Sequence, residues 1–231
     1  MNTLKILTLS GWGQPHNALS VIAPNATYFD YSHFETVENA LFSLAEKAKK
    51  HDVVIGWSLG GQLAVRAISA GLILPSKLVL IGVPFQFVKN TDLEIGMPVE
   101  QFQKFRDNYA KNSARTLAKA WELVAVGDKN IDKIKTHLQN YNQAEMLKKN
   151  WLHWLDMLDG FSCKDLDFSK FPPSLLLHGE NDAVVLHDQC FEFSKKIQHA
   201  KQISIANAGH APHWHDNQLI IKHIQEYLDA K

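Results

Sequence analysis

The chain is poor in cysteine: Cys163 and Cys190 are the only two in 231 residues. They form no Cys-x-x-Cys pair and no disulfide framework, which argues against a redox dithiol, a cysteine zinc site and a cross-linked secreted scaffold. Long apolar runs are missing as well. No stretch approaches the ~18 apolar residues that a membrane span needs, and the apolar part of Met1–Ser10 is too short for a signal-peptide core. The expectation is a cytoplasmic protein without membrane contact. A surplus of one charge is absent too: 24 Lys and Arg face 24 Asp and Glu, for a formal net charge of 0. Nucleic-acid binders normally carry a basic surplus, so no such partner is expected. What is present is an ordinary globular composition, 45% hydrophobic and 21% charged, without repeats or low-complexity tracts. Length and composition predict one domain carrying an insertion; the chain is expected to act as a monomer.

The apolar run Lys5–Leu9 predicts a first buried strand, the run near Thr27–Phe29 a short second one, and the helical period from Thr36 to Lys50 a helix. Asp52–Gly56 predicts the next strand, Leu59–Ala70 a helix, and Lys77–Gly82 a further buried parallel strand. Ser174–His178, Asp188–Gln198, Lys201–Ile205 and His215–Leu228 then repeat strand, helix, strand, helix. This alternation predicts an α/β fold with a mostly parallel sheet flanked by helices. Residues 91–161 break it, with helical period over Val99–Val126, Ile131–Met146 and Leu147–Leu158 and no convincing strand. The expected organisation is a core of residues 1–90 and 162–231 and a helical cap at 91–161, with Pro172-Pro173 marking the re-entry.

Gly56-Trp57-Ser58-Leu59-Gly60 falls between a predicted strand and a predicted helix. In that context the pentapeptide reads as a nucleophile elbow, a sharp strained turn presenting a serine, with small residues two before and two after it so that strand and helix can approach. A serine hydroxyl is a poor nucleophile at neutral pH and needs a histidine base oriented by a carboxylate. His210, in Asn207-Ala-Gly-His-Ala-Pro212 after the last predicted strand, is the expected base; Asp182, in the turn after Ser174–His178, is the expected acid. Glu180 is the rival acid, and His213 and His215 are rival bases; the spacing of the three histidines matches no standard zinc motif. Negative charge developing on a carbonyl oxygen needs two backbone N–H donors. Leu59, after the serine, supplies one, and Trp12, in the small-residue loop Ser10-Gly11-Trp12-Gly13, supplies the other.

These motifs resemble the α/β-hydrolases. Within them, Gly11-Trp12-Gly13, Trp57-Ser58-Leu59-Gly60-Gly61, the segment Phe102…Arg115-Thr116-Leu117…Gly127, Gly179…Asp182…Val185 and Gly209-His210-Ala211-Pro212 resemble the BioH-type pimeloyl-acyl-carrier-protein methyl ester esterases of biotin synthesis. The resemblance covers most of the chain. It implies Ser58, Asp182 and His210 as the triad, and Trp12 and Leu59 as the oxyanion hole. It implies an acyl channel lined by Ala120, Trp121, Glu122, Leu123 and Val124, and no metal or organic cofactor. The implied reaction hydrolyses the methyl ester of a pimeloyl chain held on acyl-carrier protein.

An acidic carrier would meet a basic rim: ten Lys and Arg against six Asp and Glu lie between Glu100 and Trp151, and Lys111, Arg115 and Lys119 recur every fourth residue, as on one helical face. The chain departs from the family at Ser10, where relatives often carry histidine, and in its use of lysine in place of arginine in the cap. A general carboxylesterase for small free esters is the second reading. A non-catalytic binding protein of the same fold is a third, disfavoured because such proteins usually lose a triad residue.

Overall fold

A computed structural model describes residues 4–230; Met1–Thr3, at the start of the stretch tested for a leader, lie outside it. Six strands form one parallel sheet in the order β2-β1-β3-β4-β5-β6. They are β1 (Ile6–Leu9), β2 (Thr27–Tyr28), β3 (Val53–Trp57), β4 (Lys77–Ile81), β5 (Ser174–Gly179) and β6 (Ala200–Ile205). The register runs Leu9 to Gly56, Gly56 to Leu80 and Leu80 to Leu176, so the C-terminal ends of the strands lie along one edge.

Side chains alternate across the sheet. Val54, Leu78, Leu80 and Leu176 pack on one face with α1 (Val37–Ala48), α2 (Leu59–Ser69) and α8 (Asp188–Lys196). Val53, Ile55, Trp57, Val79, Ile81, Leu175 and Leu177 pack on the other with α9 (Pro212–His215) and α10 (Asn217–Asp229). Covering both faces explains why these strands are near-continuous Val, Leu and Ile runs. Each fully buried side chain of that kind contributes about 1.5–3 kcal/mol.

Between β4 and β5 come only helices: α3 (Val99–Lys111), α4 (Ser113–Ala125), α5 (Ile131–Gln139), α6 (Gln143–Leu147) and α7 (Trp151–Asp156). Two expected continuous helices are broken, each at an Asn that caps a new one. Asn112 takes φ −152° and ψ 82° and accepts from Arg115 N, dividing Val99–Val126 into α3 and α4. Asn142 accepts from Ala144 N at the start of α6, dividing Ile131–Met146; the helix expected at His215–Leu228 is α10, which starts two residues later because Asp216 caps it by accepting from Leu219 N. An N-cap side chain satisfies a backbone donor that the next helix would leave unpaired. No helix among the described residues is long and apolar enough to cross a membrane.

Candidate active site

The strand order reverses direction between β1 and β3, and in open α/β sheets such a switch point opens a crevice beyond the carboxyl ends of the strands. Ser58 stands there, between the end of β3 and the start of α2. Its φ of 52° and ψ of −126° are rare for a residue with a side chain, a strain of about 1–3 kcal/mol. The flanking glycines allow the turn: a Cβ on Gly56 would lie 2.3 Å from Gly61 Cα, and one on Gly60 would lie 2.4 Å from the carbonyl oxygens of Leu9 and Ser10. Only Gly at both positions lets strand, turn and helix meet.

Asp182 follows β5 and His210 follows β6, both beyond the same sheet edge. His210 Nδ1–H donates to Asp182 Oδ2 at 2.8 Å, with both side chains buried. Asp182 Oδ1 accepts from Val184 N and Val185 N, each at 2.8 Å. Burial would raise the Asp182 pKa; His210 and His178 outweigh burial and hold it well below the carboxylate range. With Nδ1 committed, the Nε2 of His210 is the ring nitrogen left for other work. Ser58 and His210 line one cavity; no hydrogen bond joins them in this conformation, and such contacts often tighten only around a substrate. Trp57 Nε1 donates to His210 O at 3.0 Å, fixing the histidine loop to the elbow.

The rival residues lie elsewhere. Glu180 is exposed. His213 is sealed against the Trp57 ring, centroids 4.6 Å apart, where burial holds its pKa well below the ordinary value. His215 Nδ1 pairs with Asp128 Oδ1 at 2.7 Å. Among the described residues no group of three His, Cys, Asp or Glu side chains is placed to hold a metal.

The loop after β1 carries Trp12. Its indole donates to Trp151 O at 2.8 Å and meets Phe105 and Tyr109 edge-on, which pins the loop beneath α3 and α7. No acceptor among the described residues takes the backbone N–H of Trp12, nor that of Leu59, the first residue of α2. Both are open donors, and Leu59 also stands at the positive end of a helix.

The cavity over Ser58 measures about 120 Å³; its wall includes Trp12, Phe87, Met97 and Phe105. A wider groove of about 1060 Å³ lies at the opposite, N-terminal end of the strands and holds none of the site residues. From α4, Ala120, Leu123 and Val124 line the cavity, but Trp121 and Glu122 do not. Positions i, i+3 and i+4 share a helical face, so five consecutive residues cannot all look inward. Trp121 and Glu122 border an outer hollow with Lys135 and Tyr141. Trp121 Nε1 donates to Gly13 O at 2.8 Å, so this residue holds the Trp12 loop instead of lining the channel.

The basic stripe is corrected in the same way. Lys111 ends α3 while Arg115 and Lys119 belong to α4, so the break at Asn112 removes their common helical face; all three are exposed. Arg106 is tied to Asp156, Lys148 to Glu145 and Lys149 to Asp30. Over residues 91–161 as a whole, ten basic residues meet ten acidic ones.

Two buried groups escaped the sequence reading. His178, the last side chain before Gly179, points Nε2 at Val185 O, 2.8 Å, and at Asp182 Oδ2, 3.1 Å. Both neighbours only accept, so Nε2 carries the proton; burial opposes the charged ring, but Asp182 and the Cys190 thiol raise its pKa to about 10. Asp128, between α4 and α5, accepts from Gly209 N at 2.8 Å and pairs with His215, while Lys129 N donates to Asn207 O at 2.9 Å. These bonds join the helical segment to the loop that carries His210. A buried carboxylate with several donors leaves no periodic trace in sequence.

Comparison with known proteins agrees with this fold. A model of the alpha/beta hydrolase family matches residues 6–222. Among curated relatives, the "biotin biosynthesis bifunctional protein BioHC" of Teredinibacter turnerae is 27% identical over 205 residues, 84% of this chain and 36% of that protein. The "pimeloyl-[acyl-carrier protein] methyl ester esterase" of Nitrosospira multiformis is 23% identical over 162 residues, 69% of this chain and 62% of that one. The chain thus spans between about a third and two thirds of the length of these relatives. Of solved structures, a bromoperoxidase from Bacillus anthracis superimposes with a TM-score of 0.83 at 20% identity, covering 99% of this chain and 93% of the other; the likeness is one of fold. By its sheet, its elbow and this match over nearly its full length, the chain belongs to the alpha/beta hydrolase family.

Proposed function

We propose that the protein is a serine carboxylesterase with Ser58 as nucleophile, His210 as base and Asp182 as the acid that orients it. The observation that carries this reading is a strained serine sharing a cavity with a histidine whose other nitrogen is engaged by a buried carboxylate. In this mechanism His210 Nε2 takes the Ser58 proton as Oγ attacks the ester carbonyl. The oxyanion is received by the N–H groups of Trp12 and Leu59, each worth about 2.7–4 kcal/mol in the transition state. Collapse expels the alcohol, which takes the proton from His210; water, activated by the same ring, then frees the acid and restores Ser58. Residues 91–161 act as a cap over the site.

The substrate we favour is the methyl ester of a pimeloyl chain on acyl-carrier protein, in the cytoplasm. The names of the curated relatives support it, as do the exposed Lys111, Arg115 and Lys119, which suit an acidic carrier. The balanced charge of residues 91–161 favours a second reading, an esterase of short free esters. The two are separated by comparing kcat/KM on carrier-bound pimeloyl methyl ester and on p-nitrophenyl butyrate. A preference for the carrier-bound ester supports the first; activity on the free ester alone refutes it.

A further inference from the structure

One polar group on the cavity wall has no part in the reaction above. Gln14, two residues beyond Trp12, lines the cavity together with Ser58 and His210. The residue is 4% exposed, and no protein group partners its carboxamide oxygen among the described residues. Its backbone N–H donates to Gly11 O at 3.3 Å, so the residue belongs to the same turn that presents Trp12. Burying an amide without a partner is costly, and a Leu or Met would fill the space at no such cost. Gln101, the other amide on the wall, is exposed. Among the described residues no Lys, Arg, Asp or Glu lines the cavity, whose wall also includes Phe87, Met97, Leu158 and Val184.

We infer that Gln14 is a specificity-determining residue that hydrogen-bonds an uncharged polar group of the substrate, so that the site selects esters bearing a second neutral oxygen or amide function. A carboxamide offers both an acceptor and donors, and so suits a carbonyl, an amide or a hydroxyl, but it brings no charge to hold a carboxylate. Plain alkyl esters leave the amide unpaired, and esters ending in a free carboxylate bury a charge without a partner. Sites of this kind discriminate far more strongly than pockets that only count methylenes. The inference rests on Ser58 being the nucleophile.

The test compares kcat/KM for dimethyl adipate, methyl octanoate of matching chain length, and monomethyl adipate, in the wild type and in Gln14→Leu. The expected wild-type order is diester, alkyl ester, half-ester, with the diester ahead of the alkyl ester by on the order of tenfold or more. In Gln14→Leu that ratio falls toward one while Tm holds or rises, because the unpaired amide is gone. An unchanged ratio overturns the inference, as does a fall in Tm without a change in ratio, which would mark the amide as structural. Should Gln14→Leu not fold, Gln14→Met gives the same comparison. Labelling of Ser58 by a fluorophosphonate keeps the two claims apart: a labelled enzyme with an unchanged ratio sinks only the role of Gln14, whereas an unlabelled wild type inactive on every ester sinks both.

Discussion

Replacing Asp182 by Asn is the most informative single change within the proposed triad. Asp182 accepts three hydrogen bonds, from Val184 N and Val185 N on Oδ1 and from His210 Nδ1 on Oδ2, and His178 Nε2 stands 3.1 Å from Oδ2. The backbone pair cannot move, so the one oxygen of Asn stays with it and the new NH₂ faces two ring nitrogens that both carry protons. His210 then shifts its proton to Nε2 and presents that N–H, not a lone pair, toward Ser58. A base in the wrong tautomer cannot accept the serine proton, and the comparable change in another serine hydrolase costs about 10⁴ in kcat. At 1.36 kcal/mol per decade this is about 5.4 kcal/mol of transition-state stabilisation. The assay is kcat for p-nitrophenyl butyrate at neutral pH, with KM little changed, since the tautomer affects the chemical step more than binding. Glu180→Gln, at the exposed rival position, retains activity. Asp182→Asn keeping more than about a tenth of wild-type kcat would refute the assignment.

Trp121→Phe removes the indole donor to Gly13 O, a bond of about 1 kcal/mol; kcat falls several-fold through the loosened Trp12 loop, and an unchanged kcat would leave the indole without a positioning role. Stability depends on pH with a maximum near 6.5. Below that value the unfolded chain protonates its His213 while the buried ring of the folded state stays neutral, so stability is lost as pH falls. Above it His178 keeps a proton that the unfolded chain releases, so stability is lost as pH rises from 6.5 to about 10. Urea unfolding across pH reads both limbs, and His213→Leu flattens only the acid one; an unaltered acid slope would contradict the account. Charge reversal at Arg115 and Lys119 raises KM for a carrier-bound ester several-fold more than for a free ester, and equal effects would remove the docking argument.

The parts of this molecule that sequence reveals are those with a short-range signature. The buried parallel strands announce themselves as Val, Leu and Ile runs because both faces of the sheet are covered. The elbow is visible because Gly56 and Gly60 answer a steric demand within five residues of chain. Helix ends lack such a signature. Asn112 and Asn142 break helices in which neither glycine nor proline intervenes, and the apolar period continues through each break because the helices on both sides bury apolar residues of their own, Phe102 and Leu117 about the first, Ile134 and Met146 about the second. The range Ala120–Val124 mixed inward and outward positions because a contiguous stretch ignores the helical turn; the structure divides it by face. His178, Asp128 and Gln14 gain their significance from partners, or from the lack of one, that only tertiary packing decides.

The central claim is that Ser58 becomes acylated. The direct measurement is intact-protein and peptide mass spectrometry of the enzyme quenched during turnover of a p-nitrophenyl ester, beside the Ser58→Ala variant. The account predicts an acyl adduct on the peptide containing Ser58, and in Ser58→Ala a folded protein with neither adduct nor hydrolysis above background. An adduct on another residue, or undiminished hydrolysis by folded Ser58→Ala, would contradict it.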